Sequence, residues 1–167
     1  MTRWLTKDEQ LAWRRWLAMQ RLMHEVLDRE LREETGVSMA DYEILVHLSE
    51  SPDRRVRMAD LAHATLASRS RLSHQIDRME RAGWVTRERC REDLRGQWAM
   101  MTEDGWSLIQ RAAPVHVEGV RRHMVDPLGD RFIGFGELCN EVVAPLMAAL
   151  PGVSPPLLRE DAAPAAS

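Results

Sequence analysis

The chain has 167 residues, 44% of them hydrophobic, a net charge of −3 and two cysteines. That is enough for one compact module with helical extensions, and Cys90 and Cys139 alone make neither a disulfide framework nor a metal-ligand cluster. No run approaches 18 uninterrupted apolar residues and the first residues lack an apolar signal core, so a membrane span and a secretory signal are not expected, and a cytoplasmic location is.

Thr6-Lys7-Asp8-Glu9 has the spacing of a capping box. It predicts a helix running to about Thr35 with Gly36 as its stop, and Trp16, Met19, Met23 and Leu31 at three- and four-residue steps give it an apolar face. Leu11, Trp13, Leu17 and Leu22 widen that face beyond what one neighbour would cover, so a second buried surface, from another subunit, is expected. Ser38-Met39-Ala40-Asp41 opens a second helix through Tyr42, Leu45 and Leu48 that ends before Pro52. Val56 can add one β-bridge ahead of a short helix from Met58 to Ala64.

A further helix starts near Ser68. Leu72, Ile76 and Met79 fall on its inward stripe, while Ser70, Arg71, His74, Asp77, Arg78 and Arg81 fall on the other side. Gly83 ends it, and Trp84–Cys90 and Gln97–Met101 read as two strands flanking a tip at Arg91–Gly96. Thr102 caps a helix to about Met124, with a kink expected at Pro114 and a break at Asp126-Pro127. A last helix spans Leu128 to Leu150, and the Pro/Ala-rich residues beyond it suggest a disordered tail.

Charge is unevenly distributed along this plan. Between Arg54 and Arg95 stand eleven arginines against six acids, a net of +5, so that with −3 overall the remainder carries −8. Such asymmetry presents a positive surface to a polyanion while the rest of the chain avoids one. Arginines near a helix start can fork onto guanine O6 and N7, hydroxyls and N–H groups can take phosphate oxygens, and a guanidinium at a narrow hairpin tip can enter a minor groove.

Helix, helix, polar helix, two-stranded wing and return helix is the order of a winged helix-turn-helix. Leu61-Ala62, Ser68-Arg69-Ser70-Arg71-Leu72-Ser73, Asp77-Arg78-Met79-Glu80-Arg81-Ala82-Gly83, Asp93-Leu94-Arg95-Gly96 and Met101-Thr102-Glu103-Asp104-Gly105 stand in it at spacings that resemble the multiple-antibiotic-resistance regulator (MarR) family. The resemblance, over roughly Leu11 to Leu150, implies a mainly α fold with a small β-hairpin wing. It divides the chain into an N-terminal dimerisation helix (1–37), a DNA-binding lobe (38–102), C-terminal dimerisation helices (103–150) and a tail (151–167).

The function so implied is a homodimeric, sequence-specific repressor of double-stranded operator DNA with inverted-repeat symmetry, released by a hydrophobic or phenolic ligand; the ligand rests on the resemblance alone. DNA contacts are expected from Ser68, Arg69, Ser70, Arg71, Ser73, His74 and Arg78 on the recognition helix and from Arg89, Arg91, Asp93 and Arg95 on the wing. Asp93 matches the family acid that braces the wing arginine or ties the wing to the recognition helix, with Arg78 as partner. Arg87, Arg89 and Arg91 either touch phosphate or shield the hairpin edge.

Three other groups of residues admit a second reading. Trp13, Trp16, Met19, His47 and Trp106 could line a ligand pocket between the dimer helices and the lobe, although apolar residues at helical spacing are more often core. Cys90 could be an oxidation sensor among arginines, or an ordinary strand cysteine. His116 and His123 stand roughly 10 Å apart along a helix, too far to share an ion, and no cofactor or metal is expected. No nucleophile-and-base pattern appears, so an enzyme is not expected; the alternative to DNA binding is a winged-helix module for protein interaction.

Overall fold

Thr6 opens the longest element by the local chemistry its neighbours promise. Its hydroxyl accepts from the Glu9 N–H at 3.2 Å while the Glu9 carboxylate takes the Thr6 N–H at 2.7 Å, satisfying two donors that a helix start leaves orphaned. Helix α1 (Lys7–Thr35) ends where Gly36 turns left-handed at φ 77° and returns its N–H to Arg32. The computed structural model describes residues 1–90 and 96–150. The wing tip and the tail expected from the sequence lie outside these described residues.

Ser38 caps α2 (Met39–Ser49), and a turn at Pro52–Arg54 leads into strand β1 (Arg55–Arg57), helix α3 (Met58–Ala64) and helix α4 (Arg69–Arg81). The wing strands are β2 (Val85–Arg89) and β3 (Gln97–Met101). All three strands form one antiparallel sheet in the order β1-β3-β2, with Val56 and Arg87 both opposite Ala99. The single β-bridge expected at Val56 is thus a three-residue strand.

The core sits where α4, α2, α3 and the sheet meet. Leu72, Ile76 and Met79 from α4 are fully buried with Ile44, Leu45 and Leu61, as their helical spacing requires. At the other side of the lobe, Thr102 takes the Gly105 N–H at 3.0 Å and donates its hydroxyl to the Gly83 carbonyl at 2.6 Å, which seats α5 (Glu103–Val120) against the turn before β2. Gly83 has φ 79° there.

Two features of the C-terminal region differ from expectation. The chain does not break at Asp126-Pro127: α5 widens into a π-helical turn over Arg121–Val125, closed by the Asp126 N–H on the Arg121 carbonyl, and continues helically to Leu128. Pro127 follows directly on this widened turn without ending the helix, and the break falls at Gly129, with φ 54° and ψ −133°. The last helix, α6, is accordingly Arg131–Ala149.

Helix α6 buries none of its residues within the chain, leaving Ile133 72% and Leu138 61% exposed. With a mean hydropathy of 1.3 over an 18-residue window, this 19-residue helix is long and apolar enough to cross a membrane by length and composition. An expectation based on uninterrupted apolar runs missed this because Glu137 and Glu141 interrupt the run without reversing the average.

Candidate nucleic-acid interface

Burial of Leu72, Ile76 and Met79 turns the opposite side of α4 to solvent, and Ser68, Arg69, Ser70, Arg71, His74, Arg78 and Arg81 are all exposed, with Ser73 half-buried. Ser68 Oγ accepts the Arg71 N–H at 3.3 Å as the N-cap and lies 3.2 Å from Ser70 Oγ. Arg69 and Arg71 have no ion-pair partner among the described residues. Exposed positive charge therefore stands at the helix end that already carries the positive pole of the dipole. His74 Nδ1 lies 3.9 Å from Asp77, and Arg81 Nε donates to the Asp77 carbonyl at 3.2 Å.

Both flanks of α4 are tied to its neighbours by polar contacts. On one side Arg78 donates to Oδ1 of Asp41, which is 4% exposed and also accepts from Gln75 Nε2 at 3.3 Å and from the Ser38 hydroxyl at 2.6 Å. On the other, Arg87 reaches back from β2 to Asp77 at 2.6 Å, Glu80 at 3.0 Å and the Ser73 carbonyl at 2.8 Å. Arg78 is paired with Asp41 on α2, while Asp93, the partner expected for it, lies outside the described residues. Arg87, expected to touch phosphate or shield the hairpin edge, is engaged by two carboxylates and a carbonyl of α4.

Sequence reasoning missed Asp41 and Gln75 as members of the site. An acid three residues after a serine cap is already explained by helix capping, so nothing local points to its second role.

The wing residues Arg91, Asp93 and Arg95 lie outside the described residues. Arg89 is exposed at the end of β2, opposite Gln97. Cys90 is 2% exposed and stands one residue beyond the end of β2.

The five residues considered for a ligand pocket sit in three different settings. Trp13 and Trp16 stack on each other at 4.9 Å on the outer surface of α1, where Met19 is half-buried; Trp106 lies under the Arg54 guanidinium at 3.9 Å; His47 is buried in α2. Among the described residues, neither ring nitrogen of His47 has a hydrogen-bond partner, nor does Nδ1 of His116, whose ring lies 4.7 Å from Tyr42. Burial pushes the pKa of both imidazoles down and that of the Tyr42 phenol up to about 12. Burial likewise raises that of Glu43, against the pull of His24 and Arg71. Among the described residues, no group of three His, Cys, Asp or Glu side chains could hold a metal ion.

Comparison with known proteins places this architecture. The MarR family pattern matches residues 35–96. The HTH-type transcriptional regulator PecS of Dickeya dadantii (strain 3937) is 29% identical over 86 residues, a match that spans 51% of this chain and 52% of that protein, about half the length of each. Two solved structures of MarR family transcriptional regulators from Streptomyces coelicolor are similar over nearly their whole length. AbsC is 47% identical with a TM-score of 0.81, covering 89% of this chain and 99% of that one. Sco3205, whose structure is a complex with DNA, is 42% identical with a TM-score of 0.84, covering 95% of this chain and 100% of that one.

Proposed function

The chain belongs to the MarR family of transcriptional regulators, and on that premise we propose that it grips an inverted-repeat operator in double-stranded DNA as a homodimer, one recognition helix per half-site. The observation that carries the reading is the exposed face of α4, where Arg69 and Arg71 stand beside the N-cap at Ser68 with no ion-pair partner among the described residues. Likeness to Sco3205, solved with DNA, supports DNA over a protein as the partner, and matched relatives that are regulators support no enzymatic role.

Two chains related by a two-fold axis would set their recognition helices one DNA turn apart, about 34–36 Å. The uncovered apolar faces of α1 and α6 supply the dimer surface, which gives α6 a protein partner in place of lipid. Arg69 and Arg71 read base edges, Ser70 and His74 flank them, and Arg89 with the wing-tip residues Arg91, Asp93 and Arg95 serves the adjacent minor groove and backbone. Repression, a cytoplasmic location and release by a small hydrophobic or phenolic effector complete the reading; it assigns no cofactor.

Mapping the bound sites across the source genome, then titrating the recovered operator with wild type, Arg69→Ala and Arg71→Ala at several salt concentrations, tests it. Loss of one guanine-forking arginine should cost about 1–3 kcal/mol and relax preference at one operator position. A monomer in light scattering, or binding that ignores both salt and sequence, would refute it.

A further inference from the structure

The first turn of α2 is held from two directions within three residues. From α1, Asp28 Oδ1 accepts the Met39 N–H at 2.7 Å, and Arg32 fixes the other carboxylate oxygen at 2.6 Å. Burial opposes the charge on Asp28, but the Arg32 guanidinium and the Met39 N–H outweigh it and keep the carboxyl ionised below the usual range. Two residues beyond Met39, Asp41 receives Gln75 and Arg78 of the recognition helix. The dimerisation helix and the recognition helix thus meet through one helical turn.

The physical character of these contacts distinguishes them from the packing around them. Leu72, Ile76 and Met79 hold α4 against the core through apolar burial, which is non-directional and fixes rotation about the helix axis only loosely. A carboxylate that accepts from a guanidinium, an amide and a hydroxyl at once is directional. An ion pair with one buried and one half-exposed member contributes little net stability, so its use here lies in geometry.

We infer that Asp28 and Asp41 are positioning residues for operator spacing: they lock the angle between α1 and α4, and so the separation of the two recognition helices in the dimer. This deepens the operator-binding reading and rests on it. A locked angle rejects half-sites set one base pair too close or too far; a loosened one tolerates them. Arg78 then acts through Asp41, on the orientation of α4, without contacting a base.

The experiment is an anisotropy titration of the full chain against the mapped operator and against versions with one base pair added or removed between half-sites, at several salt concentrations. Wild type is compared with Arg78→Met, Asp41→Asn and Asp28→Ala. In each variant the affinity ratio between native and altered spacing should fall by about fivefold or more, the scale of ordinary inter-site coupling, with the salt slope unchanged. Asp41→Asn is the sharpest arm, because deleting a negative charge would by electrostatics alone tighten DNA binding at every spacing. Arg78 is half-exposed and Asp28 lies at the α1 surface, so their variants carry the test if Asp41→Asn does not fold.

An intact spacing ratio in the variants overturns the inference. So does a uniform affinity loss in Arg78→Met alone with a salt slope lower by about 0.9, the mark of a lost phosphate contact. A wild type without any spacing preference overturns the operator reading itself and the inference with it.

Discussion

Arg87→Met should detach the wing from the recognition helix while leaving both in place. The Arg87 side chain is 20% exposed and joins three acceptors of α4: the Asp77 and Glu80 carboxylates and the Ser73 carbonyl. Methionine keeps much of the stem and removes the fork. Asp77 and Glu80 are themselves 45% and 31% exposed, so each ion pair is worth a surface value of about 0.5 kcal/mol. The bond from a charged donor to Ser73 adds about 1.5 kcal/mol, and two carboxylates one turn apart then repel by a few tenths. Arg87 Nε is buried without a partner, which already offsets part of the gain. The expected loss is about 2 kcal/mol, a shift of roughly 4–8 °C in Tm for a chain of this length. Urea melts at fixed protomer concentration measure it, as a lower midpoint with an unchanged slope. Arg87→Lys should recover only part, since an ammonium cannot present the fork. A loss under about 0.5 kcal/mol would mean that the wing is held by the sheet alone.

Gly105→Ala should be more severe, because the added Cβ would stand 2.2 Å from the Trp84 carbonyl oxygen and 3.1 Å from its carbon, backbone atoms that cannot swing aside. We expect a loss of at least about 3 kcal/mol, at the upper end of overpacking costs, visible as a collapsed melting temperature or insoluble chain; near-wild-type melting would refute the close approach. His47 and His116 should make the fold acid-sensitive. Burial holds both pKa values below the usual 6.5, so as pH falls below about 6.5 the unfolded chain takes up protons that the folded one refuses. Stability should then drop by at most about 1.4 kcal/mol per pH unit for each histidine, and level off once the folded imidazoles also protonate. The His47→Leu/His116→Leu double variant should flatten urea midpoints between pH 5 and 7, and an unchanged slope there would refute the assignment.

What was legible in the sequence is what the chain settles within a few residues of itself. Thr6 with Glu9, Ser38, Ser68 and Thr102 cap their helices where the residue types require, and the Leu72, Ile76 and Met79 stripe is a matter of helical pitch. The break assigned to Asp126-Pro127 failed on the same scale, since the helix widens into a π-turn just before the proline and runs on past it to Gly129. The polar ties were illegible for another reason. Asp41 and Arg78 stand 37 residues apart, and nothing in the residue type distinguishes Arg78 or Arg87, held by acids, from Arg69 or Arg71, which have no ion-pair partner among the described residues.

That distinction alters the meaning of the charge count. Within the +5 segment, Arg78 and Arg87 are committed to Asp41, Asp77 and Glu80, while Arg54 and Arg55 pair with Glu103 and Asp53. These pairs draw both on acids inside the segment and on acids beyond it, so neutralisation across the lobe leaves less diffuse basicity than the count suggests. Arg69 and Arg71, which have no ion-pair partner among the described residues, stand in the N-terminal turn of α4, where the helix dipole adds to their field and would favour an incoming phosphate or guanine. Specific docking follows more readily from this concentration than from the net charge, because a diffuse surface attracts any polyanion whereas two guanidinia on one turn present a direction.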